Sequence, residues 1–198
     1  MNRAMLVGVL FLIVGCNAKA KETTSERLKE KVKLAKAYCE QNNMNLDVCV
    51  LIDMQIHSGK KRFFLWDFKG DSIIKTGMCS HGSCGGGYSD DGTISEPDFN
   101  NVPNSHCSSL GKYKIGKRGY STFGIHINYK LHGLEKTNNK AYQRYIVFHS
   151  WNVIDGEETY PYAIDESWGC PAVSNNFMRE MDVILKGKKK PVLMWIYK

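Results

Sequence analysis

Residues 145–174 read YIVFHSWNVIDGEETYPYAIDESWGCPAVS and carry a histidine and a cysteine at the ends of two different segments. The apolar run Tyr145–Phe148 has the composition of a buried strand and leads directly into His149. Ser150–Glu166 separates this strand from a Ser-Trp-Gly-Cys turn that ends at Cys170. A thiol, an imidazole and a glycine turn are the components of a cysteine nucleophile site, because the imidazole takes the thiol proton. We therefore expect the reactive centre here, with an acidic Cys170 thiol.

The residues beside this pair have separate predicted roles. Because Gly169 has no Cβ, it permits a tight turn in which the N–H groups of Gly169 and Cys170 face a developing oxyanion. The carbonyl of Ser150 would fix the tautomer of His149. The alternative is structural: a lone cysteine is often a small buried apolar residue, and a histidine that ends a strand is often a hydrogen-bonded core group.

The pattern His149-Ser150, a spacer, then Ser167–Cys170 resembles the signature of the YkuD-type L,D-transpeptidases. It is most similar to the murein L,D-transpeptidase catalytic domain branch, whose motif reads SWGCPAVS, and the similarity extends over about residues 46–197. The resemblance implies a mainly β (α+β) fold, an open β-barrel or sandwich with an N-terminal helix and a short helix after the nucleophile. Two positions depart from the broader signature: Trp168 replaces a second histidine, and Pro171-Ala172 replaces an apolar residue followed by Asn or Arg.

The resemblance also implies a reaction on peptidoglycan stem peptides. Cys170 would attack the carbonyl of the third stem residue and expel D-Ala, and an amine acceptor would then resolve the thioester. His149 would act first as general base and then as general acid, and no metal or cofactor is expected. If water resolved the thioester, the enzyme would be an L,D-carboxypeptidase. An alternative from another class is a non-catalytic, cell-wall-binding lipoprotein.

Five further residues are candidates for substrate binding: Ser167, Trp168, His81, His132 and Arg144. His81 lies in a segment that the resemblance places beside the groove, so we expect a structural or substrate-positioning role. His132 is a secondary candidate, because a hydrogen-bonded imidazole in a turn explains it equally well. Arg144 could bind a carboxylate or could brace the fold through an ion pair.

Composition limits both the size and the partners of the protein. The chain has 198 residues, with 27 Lys and Arg against 20 Asp and Glu, a net charge of +7 and a pI near 9.0. This length suits one domain with an N-terminal extension. The positive charge favours anionic partners such as a membrane surface or cell-wall polymers. The sequence contains no recognition helix or aromatic-basic strand pattern, so we expect no nucleic acid partner, and we expect a monomer.

The first residues predict export. Met1–Arg3 is basic, Ala4–Val14 is apolar but too short to span a bilayer, and the sequence up to Cys16 resembles a lipobox. Cys16 would then be acylated, giving a periplasmic, membrane-anchored lipoprotein. An ordinary secretory signal cut near Ala18 or Ala20 is the alternative, and it also exports the protein.

Four segments are predicted along the chain: a signal peptide with lipobox (1–16), a tether (17–24), an amphipathic helix (25–43) and the catalytic domain (44–198). Thr23 and Glu26 form the pattern of a capping box at the start of the helix. Ser174 is expected to cap a second helix. The predicted strands are Val48–Met54, Lys61–Phe68 and Ser72–Met78 in an antiparallel meander, Leu110–Ile115 and Tyr120–Tyr129 around a turn at Gly116–Gly119, and a central Pro191–Tyr197.

Export also affects the cysteines, since thiols outside the cytosol tend to pair. Apart from Cys16 and Cys170, the chain contains Cys39, Cys49, Cys79, Cys84 and Cys107. A Cys39–Cys49 bridge would tie the N-terminal helix to the first strand, and two of the other three could form a second bridge, but the sequence does not choose among the pairings. Together with His81 and His106, the last three could bind zinc, but their spacing does not fit a structural zinc site, and disulfides compete for the same sulfurs.

Overall fold

The computed structural model describes residues 23–85 and 97–198, which form an eight-stranded mixed sheet with one helix before it and one late in the chain. The elements are α1 (Thr24–Gln41), β1 (Val48–Asp53), β2 (Phe63–Asp67), β3 (Ser72–Gly77), β4 (Gly111–Tyr120), β5 (Ile127–Gly133), β6 (Val147–Ser150), β7 (Ala172–Val173), α2 (Asn175–Leu185) and β8 (Leu193–Tyr197). The sheet is nearly closed, so the predicted mainly β class with two helices is confirmed. The predicted signal peptide and lipobox cysteine, Cys16, lie outside the described residues.

The order of the strands in the sheet is β3-β2-β1-β8-β4-β5-β6-β7. The first three strands form the predicted antiparallel meander, and β8 lies in the centre between β1 and β4, as predicted. β1 and β8 are parallel, as are β6 and β7. In the β6–β7 pair His149 lies opposite Ala172, so the strand that carries the histidine runs beside the segment that follows the cysteine.

Strand β1 is buried on both faces, which explains its continuous apolar sequence. Val50 and Ile52 point into the larger core cluster, which α2 covers. Cys49 and Leu51 point to the opposite face, into a cluster that α1 covers. Because side chains alternate along a strand, this single segment joins the two halves of the core.

Helix α1 begins with the predicted capping box and is anchored to the sheet by one ion pair. The Thr23 hydroxyl accepts the Glu26 N–H, and the Glu26 carboxylate accepts the Thr23 N–H at 2.8 Å. The Arg27 guanidinium donates to the Asp53 carboxylate at 2.8 Å, and the Asp53 side chain is fully buried at the end of β1. The anchor holds the helix against the face of the sheet that its apolar residues cover.

The prediction of two strands around a turn at Gly116–Gly119 is wrong. Strand β4 continues through these residues, and only its register with β5 shifts between Ile115 and Arg118. The chain reverses after Tyr120 instead, and β5 extends to Gly133. The sheet accommodates the glycine-rich sequence as a β-bulge because residues on both sides of it still pair with β5.

The Cys39–Cys49 bridge that the sequence left open is not formed. Both thiols are free and buried in the cluster beneath α1, where each packs as a small apolar side chain. Burial raises the pKa of Cys39 to about 11 and that of Cys49 well above its usual value. The bridge predicted in the loop region is present between Cys84 and Cys107.

Neither of the two described helices is long and apolar enough to cross a bilayer.

Candidate active site

Cys170 lies at the end of a turn that only glycine fits well. Gly169 has a φ of +101°, which L side chains rarely adopt, and a Cβ built there would lie 2.6 Å from the carbonyl oxygen of Cys107. The turn is therefore packed directly against the loop that contains the disulfide. Cys170 follows it, half-buried, two residues before β7.

The sulfur of Cys170 faces strand β6. The Val147 N–H donates to Cys170 Sγ at 3.4 Å. Burial raises the pKa of the thiol, while the Val147 N–H and the positive charges of Arg144 and Lys130 act in the opposite direction. The resting thiol is therefore less acidic than a free cysteine, in contrast to the acidic thiol expected from the sequence.

The His149 side chain is 6% exposed and held in one orientation. Its Nδ1 lies 2.9 Å from the carbonyl oxygen of Ser150. A carbonyl only accepts, so Nδ1 carries the proton and Nε2 is the basic nitrogen of the ring. Burial lowers the pKa of His149, and the hydrogen bond to Ser150 partly opposes this shift. The imidazole is therefore neutral near pH 7 and able to accept a proton.

Cys170 and His149 line the same cleft, whose volume is about 650 Å³. Aromatic side chains form much of its wall: Phe123, Tyr145, Trp151 and Trp168. The ring of Phe123 lies 5.4 Å from that of His149. Sequence reasoning missed Phe123 and Trp151, since neither belongs to the motif. Phe123 lies in the chain reversal that the misplaced β4 turn concealed.

Ser167 organises the turn from within. Its hydroxyl lies 2.6 Å from the Cys170 carbonyl oxygen, to which it donates, and it accepts the Gly169 N–H at 3.2 Å. One of the two N–H groups predicted for the oxyanion is therefore engaged inside the turn. The Cys170 N–H makes no hydrogen bond to any other described residue.

Trp168 stacks on His106, with ring centroids 4.8 Å apart and planes 8° from parallel. The Trp168 side chain is 65% exposed, and both rings line the cleft. The broader signature has a second histidine at position 168. In this chain the position is occupied by a tryptophan, whose indole stacks on a histidine from another loop. The sequence indicated His106 only as a possible zinc ligand.

Arg144 lines the cleft but binds the neighbouring loop. Its guanidinium donates to the Cys107 carbonyl at 2.6 Å and to the Ser109 hydroxyl at 2.7 Å. Weaker contacts reach the Asn100 carbonyl and the Ser105 hydroxyl. Arg144 therefore braces the loop through hydrogen bonds with neutral groups rather than through an ion pair.

His81 lies beneath the turn, outside the residues that line the cleft. It is 1% exposed, and its Nδ1 accepts a hydrogen bond from Arg62 at 2.7 Å. Its Nε2 is 3.5 Å from the Glu166 carboxylate, and its carbonyl accepts the Ser167 N–H at 2.7 Å. This arrangement corresponds to the structural role considered for His81.

His132 also lies away from the cleft. It is part of β5, and its ring stacks on Tyr142 with centroids 4.8 Å apart. The turn expected around His132 is absent, since β5 continues through it.

Within residues 23–85 and 97–198, no three His, Cys, Asp or Glu side chains are grouped so that they could hold a metal ion.

Comparisons with solved structures identify distant likenesses. They include the L,D-transpeptidase of Xylanimonas cellulosilytica (14% identity, TM-score 0.40, 76% of this chain and 60% of that one) and the helical cell shape determining protein Pgp2 of Campylobacter jejuni (12%, 0.43, 86% and 56%). A third is an Ldtfm–avibactam carbamoyl enzyme (8%, 0.44, 77% and 49%). The chain thus spans less than two thirds of each of these solved chains. No curated protein matches it.

The sequence profile of the L,D-transpeptidase catalytic domain matches residues 19–197. This match covers both described parts of the chain, including the cleft, the Ser167–Cys170 turn and the strand that carries His149. The chain belongs to the L,D-transpeptidase catalytic domain family.

Proposed function

We propose that the protein is a peptidoglycan L,D-transpeptidase that uses Cys170 as its nucleophile. Membership in the family supports a peptidoglycan-modifying function in general. The observation that carries the specific proposal is that Cys170 and a neutral, oriented His149 line one solvent-accessible cleft. A cysteine and a histidine with purely structural roles are not expected to line the same cavity.

The first half of the reaction forms a thioester. His149 Nε2 takes the proton of the Cys170 thiol as the sulfur attacks the carbonyl carbon of the third stem residue. The tetrahedral intermediate then collapses, the C–N bond breaks, and the imidazolium returns the proton to the amine of the departing D-Ala. Because the resting thiol is weakly acidic, we infer that proton transfer accompanies the attack rather than preceding it.

The second half transfers the acyl group. An acceptor amine attacks the thioester carbonyl, His149 removes a proton from it, and Cys170 leaves and recovers its proton. The Cys170 N–H is the available main-chain donor for the oxyanion in both halves, and such a donor contributes about 3 kcal/mol to catalysis. Gly169 could contribute a second donor only by releasing Ser167.

The walls of the cleft suggest how a stem peptide is held. The stacked Trp168 and His106 offer an exposed flat surface at one side, and Tyr145 is 79% exposed beside Cys170. Flat aromatic surfaces suit the alkyl parts of stem-peptide side chains. None of the described residues that line the cleft carries a carboxylate, which is compatible with an anionic peptide.

We further propose that the catalytic domain is monomeric and carries the predicted N-terminal lipid on Cys16. A peptidoglycan-acting domain suggests an extracellular or periplasmic location. The predicted signal peptide, tether and helix would place the domain at a membrane surface facing the wall.

The test is to incubate the purified full-length protein with a disaccharide tetrapeptide and to identify the products by mass spectrometry. A cross-linked dimer lacking one D-Ala is expected from the wild type and from Cys39→Ser, a control that alters a buried thiol outside the cleft. Cys170→Ala and His149→Gln should give no dimer. Tripeptide alone would instead assign a carboxypeptidase, and unchanged substrate would favour a non-catalytic wall-binding protein.

A further inference from the structure

A second cavity, of about 360 Å³, lies where β4, β5 and the loop after α2 meet. Its polar lining consists mainly of the basic side chains Lys114, Lys117, His132, Lys188, Lys189 and Lys190, which we call the lysine pocket. It shares no lining residue with the cleft that holds Cys170. It therefore offers a site that the proposed transpeptidation does not use.

The positive charge of the lysine pocket is largely uncompensated. Among residues 23–85 and 97–198, no acidic side chain lines it, and Lys188 is the one lysine of the pocket with an ion pair, to the exposed carboxylate of Asp47 at 2.8 Å. The neighbouring Asp182 carboxylate is already bound by Arg118 and by the Tyr129 hydroxyl, each at 2.7 Å. Within the described residues, the remaining four lysines of the pocket form no salt bridge with a carboxylate.

The fold gives one wall of the pocket a defined shape. At the β-bulge of β4, a Cβ on Gly116 would lie 2.6 Å from His132 Nε2, so the absence of a side chain lets the ring rest against the backbone. Tyr142 stacks on the ring as well. Burial is the main cause that lowers the pKa of His132, and the positive charge of Lys114 lowers it further. Both effects are expected for a ring that lies among lysines.

We propose that the lysine pocket binds a phosphate-type oxyanion carrying more than one negative charge. Clustered ammonium groups without carboxylate partners bind phosphate as point charges, and several of them match a multiply charged group better than a single carboxylate. A cavity of about 360 Å³ admits a phosphate, a pyrophosphate or the head of a phosphate-bearing lipid. Free anion and lipid head group present the same chemistry, so the source is decided by experiment.

The first arm measures soluble anions. Sodium phosphate and pyrophosphate are titrated into the full-length protein by calorimetry, while the ring signals of His132 are followed by NMR. Lys114→Ser/Lys189→Ser/Lys190→Ser should weaken pyrophosphate binding by about tenfold or more. Lys29→Ser/Lys33→Ser/Lys36→Ser removes the same charge from the exposed face of α1 and should change it by less than about twofold.

The second arm measures lipid. Sedimentation is compared between vesicles of phosphatidylcholine and vesicles that also contain phosphatidic acid, whose phosphomonoester can carry two negative charges, so an N-terminal anchor contributes equally to both. If the pocket variant loses only the gain due to phosphatidic acid and pyrophosphate does not bind, the ligand is a lipid head group. If pyrophosphate binds through the pocket and the pocket variant keeps the gain due to the lipid, the ligand is a free anion. If the pocket variant loses both, the pocket accepts phosphate from either source. Each of these results supports the proposal.

Gly116→Ala tests the shape of the lysine pocket separately from its charge. The new methyl group would displace the His132 ring without altering any charge. It should weaken pyrophosphate or phosphatidic acid binding while circular dichroism shows a folded protein. The proposal is overturned if neither anion binds the wild type, or if the α1 triple variant loses as much binding as the pocket variant. Transpeptidation should be equal in all three variants.

Discussion

Residue 169 must be glycine for two separate reasons, its backbone conformation and its contact with Cys107. In Gly169→Ala the new Cβ would meet the Cys107 carbonyl oxygen at 2.6 Å while the residue kept a φ of +101°. We expect a loss of about 1–3 kcal/mol in the free energy of unfolding, measured by urea denaturation. Acyl transfer by Cys170 should fall at least about tenfold, because the turn that positions the sulfur must move.

Gly156→Ala is the matched control for this substitution. The nearest atom to a Cβ there is the Ser174 hydroxyl oxygen at 3.7 Å, an ordinary contact distance. Its stability and activity should remain close to those of the wild type. Equal effects of the two substitutions would mean that the Gly169 turn tolerates a side chain.

The charge environment of Cys170 predicts a pH dependence that can be measured directly. Burial raises the pKa of the thiol, so its alkylation by iodoacetamide should increase with pH to a midpoint above that of a free cysteine. The charge of Lys130 stabilises the thiolate, so Lys130→Met should move the midpoint further upward. Lys136→Met, which removes an exposed charge, should leave it unchanged. A midpoint below that of free cysteine would contradict the raised pKa of the resting thiol.

For individual residues, the sequence predicted which ones form the site better than it predicted the atoms that they contact. The motif picked out Cys170 and His149, and the structure brings both to one cleft. It could not place His81, which is buried against Arg62, or assign the hydrogen bonds of Arg144, because spacing along a chain does not reveal which face a side chain occupies. Those side chains are positioned by segments far away in sequence.

Helix α2 is attached to the sheet by Asp182, and this attachment should depend on pH. The Arg118 guanidinium holds the pKa of Asp182 below its usual value, with help from the Tyr129 hydroxyl and against the effect of burial. A lowered pKa in the folded state adds stability that is complete above the unfolded pKa of about 3.9 and is lost as pH falls through the folded value. Asp182→Asn should therefore cost about 1.5–3 kcal/mol at pH 7, by urea unfolding, and less at about pH 3, below the unfolded pKa.

Glu180 on the same helix provides the comparison. It pairs with Lys75 at 2.9 Å, but its side chain is 51% exposed. Glu180→Gln should change the free energy of unfolding by less than about 0.5 kcal/mol at either pH. If both substitutions cost the same at pH 7, burial of Asp182 would not be the reason for its contribution.

Helices and strands were predicted well where the local residue pattern is strong, and poorly where pairing between strands determines the structure. The capping box of α1, the Ser174 cap of α2 and the first three strands follow from residue patterns alone. Strand β4 did not, because its Gly116–Gly119 segment has the composition of a turn. Pairing with β5 on both sides of the bulge outweighs the turn preference of this segment. A single sequence does not show which strand will be the partner, so this effect could not be predicted.

At the scale of the whole molecule, the disulfide Cys84–Cys107 joins positions 23 residues apart and borders the cleft, since His106 lines it. Closing a loop of this length contributes about 3 kcal/mol in the chain-entropy estimate. Cys84→Ser/Cys107→Ser should lose about that much stability in urea and should raise the KM for the tetrapeptide. Dithiothreitol should destabilise the wild type similarly and leave the double variant unchanged. Equal unfolding midpoints for the oxidised wild type and the variant would contradict this.

The central position of β8 bears on when the protein can fold. Strand β8 follows the other seven in the chain, yet it supplies the pairing between β1 on one side and β4 on the other. During synthesis, a nascent chain that has emerged only through α2 has two partial sheets with unpaired inner edges and an incomplete core. The sheet can therefore be completed only after translation has passed β8, so the emerging chain would still be unfolded at the time of the export that we propose.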